Sequence, residues 1–291
     1  GPLPRGRVNV LVAGCGYVGS ALAAELAQDG HRVVGLKRSP EGLPEGVEPF
    51  RADLSEPRTL EALPASIDHV VYAVSASGRT PEAYEAAYVT GLTNLLGALE
   101  AKAAPVRRVV FTASTAVYGQ EGGEWVDEAS PTEPARFTGE TILRAERALH
   151  AGPFEGVSLR LSGIYGPGRT WLVRKVEAGE AQVDPPGTKV PRYGNRIHRD
   201  DCAGAIRHLL EVDALEPVYV GVDDAPAPLA EVYRYVAELL GVDPPEPGDP
   251  GRGRGGNKRC RNDRLKASGY RLRVPSYRDG YPAIVRAYLD G

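Results

Sequence analysis

The residues with the clearest chemical spacing lie near the start of the chain. They are Gly14-Cys15-Gly16-Tyr17-Val18-Gly19, a G-x-G-x-x-G run. An apolar stretch from Val8 to Ala13 precedes it, and Val18, Leu22 and Leu26 follow at i, i+4 and i+8. That context predicts a strand, a loop and a helix. Each glycine then has its own task. The first permits a tight turn, the second lets a pyrophosphate approach the backbone, and the third lets helix pack on strand. The helix start adds N–H groups and partial positive charge for phosphate. Gly14, Gly16, Tyr17, Val18 and Gly19 are therefore expected to hold a dinucleotide. The alternative is a glycine-rich turn that merely joins two elements. Cys15 reads as a small side chain, with a thiol activated by the helix end as the alternative.

The end of the second strand should select the cofactor. An NAD site places Asp or Glu about 20 residues beyond the glycines, to hold the ribose hydroxyl. Here the chain reads Leu36-Lys37-Arg38-Ser39. Two cations and a hydroxyl suit a 2′-phosphate, so NADP is expected in preference to NAD; otherwise Lys37 and Arg38 are solvated loop charges. Asp53-Leu54 should meet the adenine edge, unless Asp53 caps a helix before Pro57. Ala73, at the end of the fourth strand, completes the lining expected on this side.

The elements that must position these residues are legible as alternating β-branched runs and helical stretches, the pattern of a doubly wound parallel sheet (Rossmann) with both faces covered. Strands are predicted at Val8–Ala13, Arg32–Leu36, near Phe50–Arg51, at His69–Ala73, Arg108–Thr112 and Val157–Leu161. Helices are predicted after the glycine run, from about Pro81 to Ala103 and from about Gly139 to His150. Beyond Tyr165 the chain is rich in Gly, Pro and charge. There a short helix is expected near Trp171–Ala178, then a helix Arg199–Glu211, a strand Pro217–Val222 and helices Leu229–Leu240 and Tyr277–Leu289. Asp243–Gly256 reads as a linker or lid. The expected division is a dinucleotide-binding domain over 7–165, with 195–222 returning to it, and a small C-terminal substrate lobe over 166–194 and 223–291.

Several further segments share one order and spacing: Ala52-Asp53-Leu54, Gly91-Leu92-Thr93-Asn94-Leu95-Leu96, Ser114-Thr115-Ala116-Val117-Tyr118-Gly119, Asp127-Glu128, Arg160 with Tyr165-Gly166-Pro167-Gly168, and Ile197-His198-Arg199-Asp200-Asp201. With the glycine run, they resemble the extended short-chain dehydrogenase/reductases, the NAD-dependent epimerase/dehydratase group, and within it the atypical members. The resemblance implies an oxidoreductase or epimerase acting on a small carbonyl or sugar-like substrate. It also implies a catalytic Ser/Thr hydroxyl and a Tyr-x-x-x-Lys pair, in which Lys and the oxidised nicotinamide lower the Tyr pKa. Ser114 matches the hydroxyl position. At the Tyr and Lys positions the chain carries Thr138 and Ile142, and residues 126–150 contain neither Tyr nor Lys. The family's Asn is replaced by Tyr88. A threonine hydroxyl ionises too weakly to act as a base near neutral pH, and isoleucine cannot stabilise an anion. The usual proton relay is therefore absent.

Substitutes are Tyr118, one turn past Ser114, then Tyr165, Glu140 and His198. Each has a structural alternative. Tyr118 packs over the pocket, Tyr165 packs or lines the cofactor site, Glu140 is stabilised by a helix start, and the Asp pair after His198 caps a helix. Loss of the pair also motivates a second class of function, a non-catalytic NADP-binding sensor or scaffold. A third is a lyase or isomerase with the cofactor as structure only.

The chain has 291 residues, 42% hydrophobic and 25% charged, with 35 basic and 38 acidic side chains. A net charge of -3 gives no whole-chain case for nucleic-acid binding. No apolar run approaches the ~18 residues of a membrane span. Cys15, Cys202 and Cys260 are far apart, so neither a disulfide scaffold nor a metal site is expected, and a cytoplasmic protein without a signal peptide is the plain expectation. The absence of Met and the Gly1-Pro2 opening suggest a processed or engineered N-terminus, so residues 1–6 are left out of fold reasoning. Arg252, Arg254, Lys258, Arg259 and Arg261 form an acid-free basic stretch, read as a solvated, mobile loop or as a draw for an anionic small-molecule substrate. RNA is disfavoured because no aromatic is interleaved there. The helices near 81–103 and 139–150 are candidate faces for a homodimer, or core.

Overall fold

The computed structural model describes residues 6–251 and 256–291. Its strands are β1 (Asn9–Ala13), β2 (Arg32–Lys37), β3 (Val47–Arg51), β4 (His69–Tyr72), β5 (Arg108–Ser114), β6 (Glu124–Val126), β7 (Gly156–Leu161), β8 (Ile164–Tyr165), β9 (Gln182–Val183), β10 (Ile197–His198), β11 (Val218–Gly221), β12 (Glu246–Pro247) and β13 (Lys258–Cys260). Its α-helices are α1 (Tyr17–Gln28), α2 (Pro81–Tyr84), α3 (Gly91–Ala101), α4 (Phe137–Ala151), α5 (Trp171–Glu177), α6 (Arg199–Glu211), α7 (Leu229–Leu240), α8 (Asp263–Ala267) and α9 (Tyr277–Asp290).

Seven strands form one parallel sheet in the order β11-β7-β5-β4-β1-β2-β3. The chain leaves β1 toward β2 and β3, then returns to β4 on the other side of β1. The order in which strands are added thus reverses between β1 and β4, which opens the crevice where open α/β sheets take ligands. β1, β2 and β4 are nearly continuous buried apolar runs because helices cover both faces. Leu22 and Leu26 of α1 are fully buried, as their spacing predicts. Each such leucine contributes about 1.5–3 kcal/mol.

The chain divides into two compact units. One comprises Gly1–Val117, Pro134–Arg160 and Ala203–Tyr219; the other comprises Tyr118–Glu133, Leu161–Cys202 and Val220–Gly291. In the first unit a buried ion pair ties α4 to β7: Arg160 donates from Nε and Nη2 to Glu146 at 2.9 and 2.7 Å. The second unit has its own core, in which Val173, Val176, Val183, Val236 and Ile284 are buried together.

Three expectations are corrected. The single helix predicted from Pro81 to Ala103 is interrupted by a π-helical turn, Glu85–Thr90. The reason lies on β4, whose buried Tyr72 hydroxyl donates to the Ala87 carbonyl at 2.5 Å, while Gly91 leaves room for that hydroxyl. The linker or lid expected at Asp243–Gly256 contains β12, which pairs with β9. The basic stretch read as a solvated loop holds β13, paired with β6, and Lys258 is only 3% exposed. Arg252 and Arg254 lie outside the described residues. Among the described residues, no helix is long and apolar enough to cross a membrane.

Candidate functional site

The glycine loop lies at the sheet's reversal point, and its three glycines differ sharply in surroundings. Gly14 has φ +89°, and a Cβ there would stand 2.5 Å from the Ala73 carbonyl oxygen. A Cβ on Gly19 would run into the Gly14 carbonyl oxygen, so α1 can approach β1 only with glycine. A Cβ on Gly16 would meet nothing within 4 Å. Two glycines are thus required by packing, and the third faces open space. Gly16 occupies the cap position of α1 and supplies no side-chain cap, while Tyr17 and Val18 begin the helix half-buried. Ser20 Oγ donates to the Cys15 carbonyl at 2.7 Å and fixes the turn from inside. This arrangement fits a dinucleotide pyrophosphate: room above one glycine, beside the positive end of a twelve-residue helix.

Cys15 does not behave as the reactive alternative. It is buried against β2, its Sγ donates to the Val12 carbonyl, and burial pushes its thiol up to about 11 despite nearby Lys37. At the end of β2, Lys37 is half-buried while Arg38 and Ser39 are exposed. Asp53 folds its carboxylate back onto the Ser55 amide at 2.9 Å, and its carbonyl accepts from Thr59 Oγ1 at 2.8 Å. The short helical turn Pro57–Leu60 begins after Glu56, so Asp53 is not its cap. The Leu54 carbonyl accepts from Asn94 Nδ2 at 2.7 Å, which ties this edge to α3. Ala73 is half-buried, with its carbonyl against Gly14.

Ser114 ends β5, and its Oγ accepts from the Ala116 amide at 3.0 Å. The loop after β5 abuts the start of α4, where a Cβ on Gly139 would collide with the Ala116 carbonyl. Thr138 and Ile142, on that same start, are 7% and 4% exposed. Glu140 is exposed beside them. Over this region lies an aromatic row from unit one. Tyr88 sits edge-on to Phe111 of β5 at 6.4 Å, Tyr84 is 5.2 Å from Tyr88, and Phe137 meets Tyr84 at 5.5 Å. Tyr88 is the phenol of this row that meets β5, and sequence reasoning did not place it among the substitute donors. Its only sequence signal is replacement of the family's Asn.

In the second unit, Tyr118 donates to the Asp127 carbonyl at 2.7 Å. Tyr165 is buried and stacks on Tyr281 at 5.0 Å. Its hydroxyl donates to the Ser276 carbonyl at 3.3 Å, and burial raises its pKa. His198 is buried, which lowers its pKa, and its Nδ1 accepts from the Asp200 amide. The expected helix cap is not what Asp201 makes. Fully buried, it accepts from the Tyr270 hydroxyl at 2.6 Å and from the Arg273 and Val274 amides. Asp200 instead pairs with Arg199 at 3.1 Å. Glu128 accepts from the Val220 amide of β11, and Asp127 from the Ala129 amide within its own turn, so both carboxylates have structural partners. Aromatics do reach the basic stretch: the Arg259 guanidinium lies over Trp125 and Tyr193, and Arg261 over Trp125. Among the described residues, no group of three or more His, Cys, Asp or Glu is arranged to hold a metal ion.

A family model for the NAD dependent epimerase/dehydratase family matches residues 10–220. The chain belongs to that family. A solved structure from Methylobacillus flagellatus, described as a candidate NAD-dependent epimerase/dehydratase, is 37% identical with a TM-score of 0.82, covering 98% of this chain and 100% of that one. A UDP-glucose 4-epimerase from Thermus thermophilus, solved with NAD, is 25% identical with a TM-score of 0.78, covering 97% and 99%. A 3-diazoavenalumate denitrifying reductase of Streptomyces sp is 29% identical over 259 residues, 82% of this chain and 83% of its own length. The relatives include both reductases and UDP-glucose 4-epimerases, and some of the solved neighbours were determined with NAD.

Proposed function

We propose that this family member is an NADP-preferring reductase of small carbonyl compounds, in which Ser114 orients the substrate oxygen. The observation that carries the reading is the open space over Gly16 between two glycines that packing requires. Gly14, Gly16, Tyr17, Val18 and Gly19 would hold the pyrophosphate, with Ala73 as the opposite wall and Asp53 and Leu54 toward the adenine. Lys37, Arg38 and Ser39 would hold the 2′-phosphate, since no carboxylate closes β2. When bound, the nicotinamide supplies the hydride. Reductase chemistry is favoured over epimerisation because Thr138 and Ile142 leave no residue there to act as a base. The Streptomyces relative is itself named a reductase.

Calorimetry with NADP+ and NAD+ tests the cradle. NADP+ should bind at least about tenfold more tightly, a difference of about 1.4 kcal/mol, and Arg38→Ala should erase the preference. Steady NADPH oxidation against a panel of aldehydes, ketones and 3-oxo acids tests the chemistry. The buried Thr138 and Ile142 also favour a second reading, a non-catalytic NADP-binding sensor. Binding without turnover across the panel would select it.

A further inference from the structure

We propose that Tyr88 is the proton donor of this chain, replacing the family's Tyr-x-x-x-Lys pair, and that it confines the chemistry to reduction. The proposal rests on the reading that the glycine loop holds a nicotinamide dinucleotide. Tyr88 belongs to the π-helical turn Glu85–Thr90, a conformation that often marks functional sites. The turn is fixed from below by the Tyr72 hydroxyl on the Ala87 carbonyl. The Tyr88 ring rests edge-on to Phe111, three residues before Ser114 on the same strand. Through Tyr84 and Phe137 the same aromatic row reaches the residue preceding Thr138. The Tyr88 hydroxyl lies beside the Ala76 amide, in the segment that follows Ala73 at the carboxyl end of β4. Tyr88 therefore touches the strand that ends in Ser114, lies beside the segment that follows β4 and, through Tyr84, adjoins the start of α4.

Three other buried tyrosines are differently engaged. Tyr72, Tyr118 and Tyr165 each give their proton to a backbone carbonyl. The Tyr88 oxygen instead faces the Ala76 amide, and among the described residues its hydroxyl gives its proton to no backbone carbonyl. Burial, with Tyr84 adding to it, pushes the phenol up to about 12, and Ala76 opposes this. With isoleucine at the Lys position, no neighbouring ammonium lowers it, so the group is an acid rather than a base at neutral pH. Reduction needs that acid, whereas the oxidation that begins epimerisation needs a base. In the step, the Tyr88 O–H bond breaks and its proton passes to the substrate's carbonyl oxygen. The former C=O π pair forms the new O–H bond, and hydride from the reduced cofactor forms the new C–H bond. The phenolate then regains a proton from solvent.

Tyrosinate absorbance of the whole chain, titrated with and without saturating NAD+, tests the assignment. With NAD+, the positive nicotinamide should make one tyrosine about tenfold more acidic, about one pKa unit. Tyr88→Phe should abolish that shift while calorimetric NAD+ affinity stays within about twofold. Tyr84→Phe should retain the shift, and Tyr88→His serves if the phenylalanine variant does not fold. A shift that persists in Tyr88→Phe, or is absent with NAD+ bound, overturns the proposal and leaves the cofactor reading standing. No heat with either NAD+ or NADP+ overturns both. Conversion of UDP-glucose to its 4-epimer by the wild-type chain overturns the restriction to reduction.

Discussion

The glycine loop and the start of α4 are two parts of one unit that meet the family resemblance in opposite ways. At the loop, every glycine is in place and two have no steric alternative. At α4, the positions where the family resemblance expects Tyr and Lys carry Thr138 and Ile142, both buried. The difference teaches which parts of such a site are replaceable. A phosphate cradle is made of backbone, and backbone geometry depends on the absence of side chains, so substitution destroys it. A proton donor is a side chain, and any phenol brought to the same place can serve.

The sharpest way to break this comparison is Ile142→Lys. If the α4 position has truly become core, an unpaired buried ammonium should cost about 3–5 kcal/mol or prevent folding. A Tm unchanged by the substitution would show that the position is still an open polar site. Next in size is the contrast between two glycines. Gly19→Ala should destabilise by about 1–3 kcal/mol through overpacking against the Gly14 carbonyl. Gly16→Ala should change stability by no more than about 0.5 kcal/mol while weakening dinucleotide binding in calorimetry. Equal Tm losses in the two would erase the distinction drawn between them.

A smaller effect comes from the opposite end of the strands, where His69 begins β4. Burial, with Arg107 adding to it, lowers its pKa to about 4, and its Nδ1 has no hydrogen-bond partner among the described residues. A histidine held neutral by folding takes up its proton more readily when unfolded. Stability is therefore full above pH ~6.5 and falls as pH drops from there toward 4. His69→Phe should flatten that slope in thermal melts between these pH values, while dinucleotide affinity stays unchanged. The smallest expected effect is at Cys15, whose raised pKa predicts slow reaction with a thiol reagent at pH 8 in the folded chain. Fast labelling would mean that the loop opens.

The parallel sheet, α1, α6 and α7 were legible because hydrophobic periodicity and the glycine run agree with the fold at each level. Helix α6 begins and ends at the residues its pattern predicts, Arg199 and Glu211. The π-helical turn was not legible, because its cause is a tyrosine on a strand nine residues before the helix begins. Strand β13 was hidden inside a charged stretch for a similar reason. Lys258 and Cys260 point inward only because β6 pairs beside them, and Arg259 and Arg261 find their aromatic partners far away in sequence.

The G-x-G-x-x-G run and the absence of Tyr and Lys from residues 126–150 are read from the chain alone, since both depend on which residues stand at fixed local spacing. The fold had to be seen to learn how differently the three glycines are packed, that Cys15 is buried with its Sγ on the Val12 carbonyl, and that Tyr88 meets Phe111 of β5. Those properties depend on burial and on neighbours distant in the chain, and no local pattern encodes them.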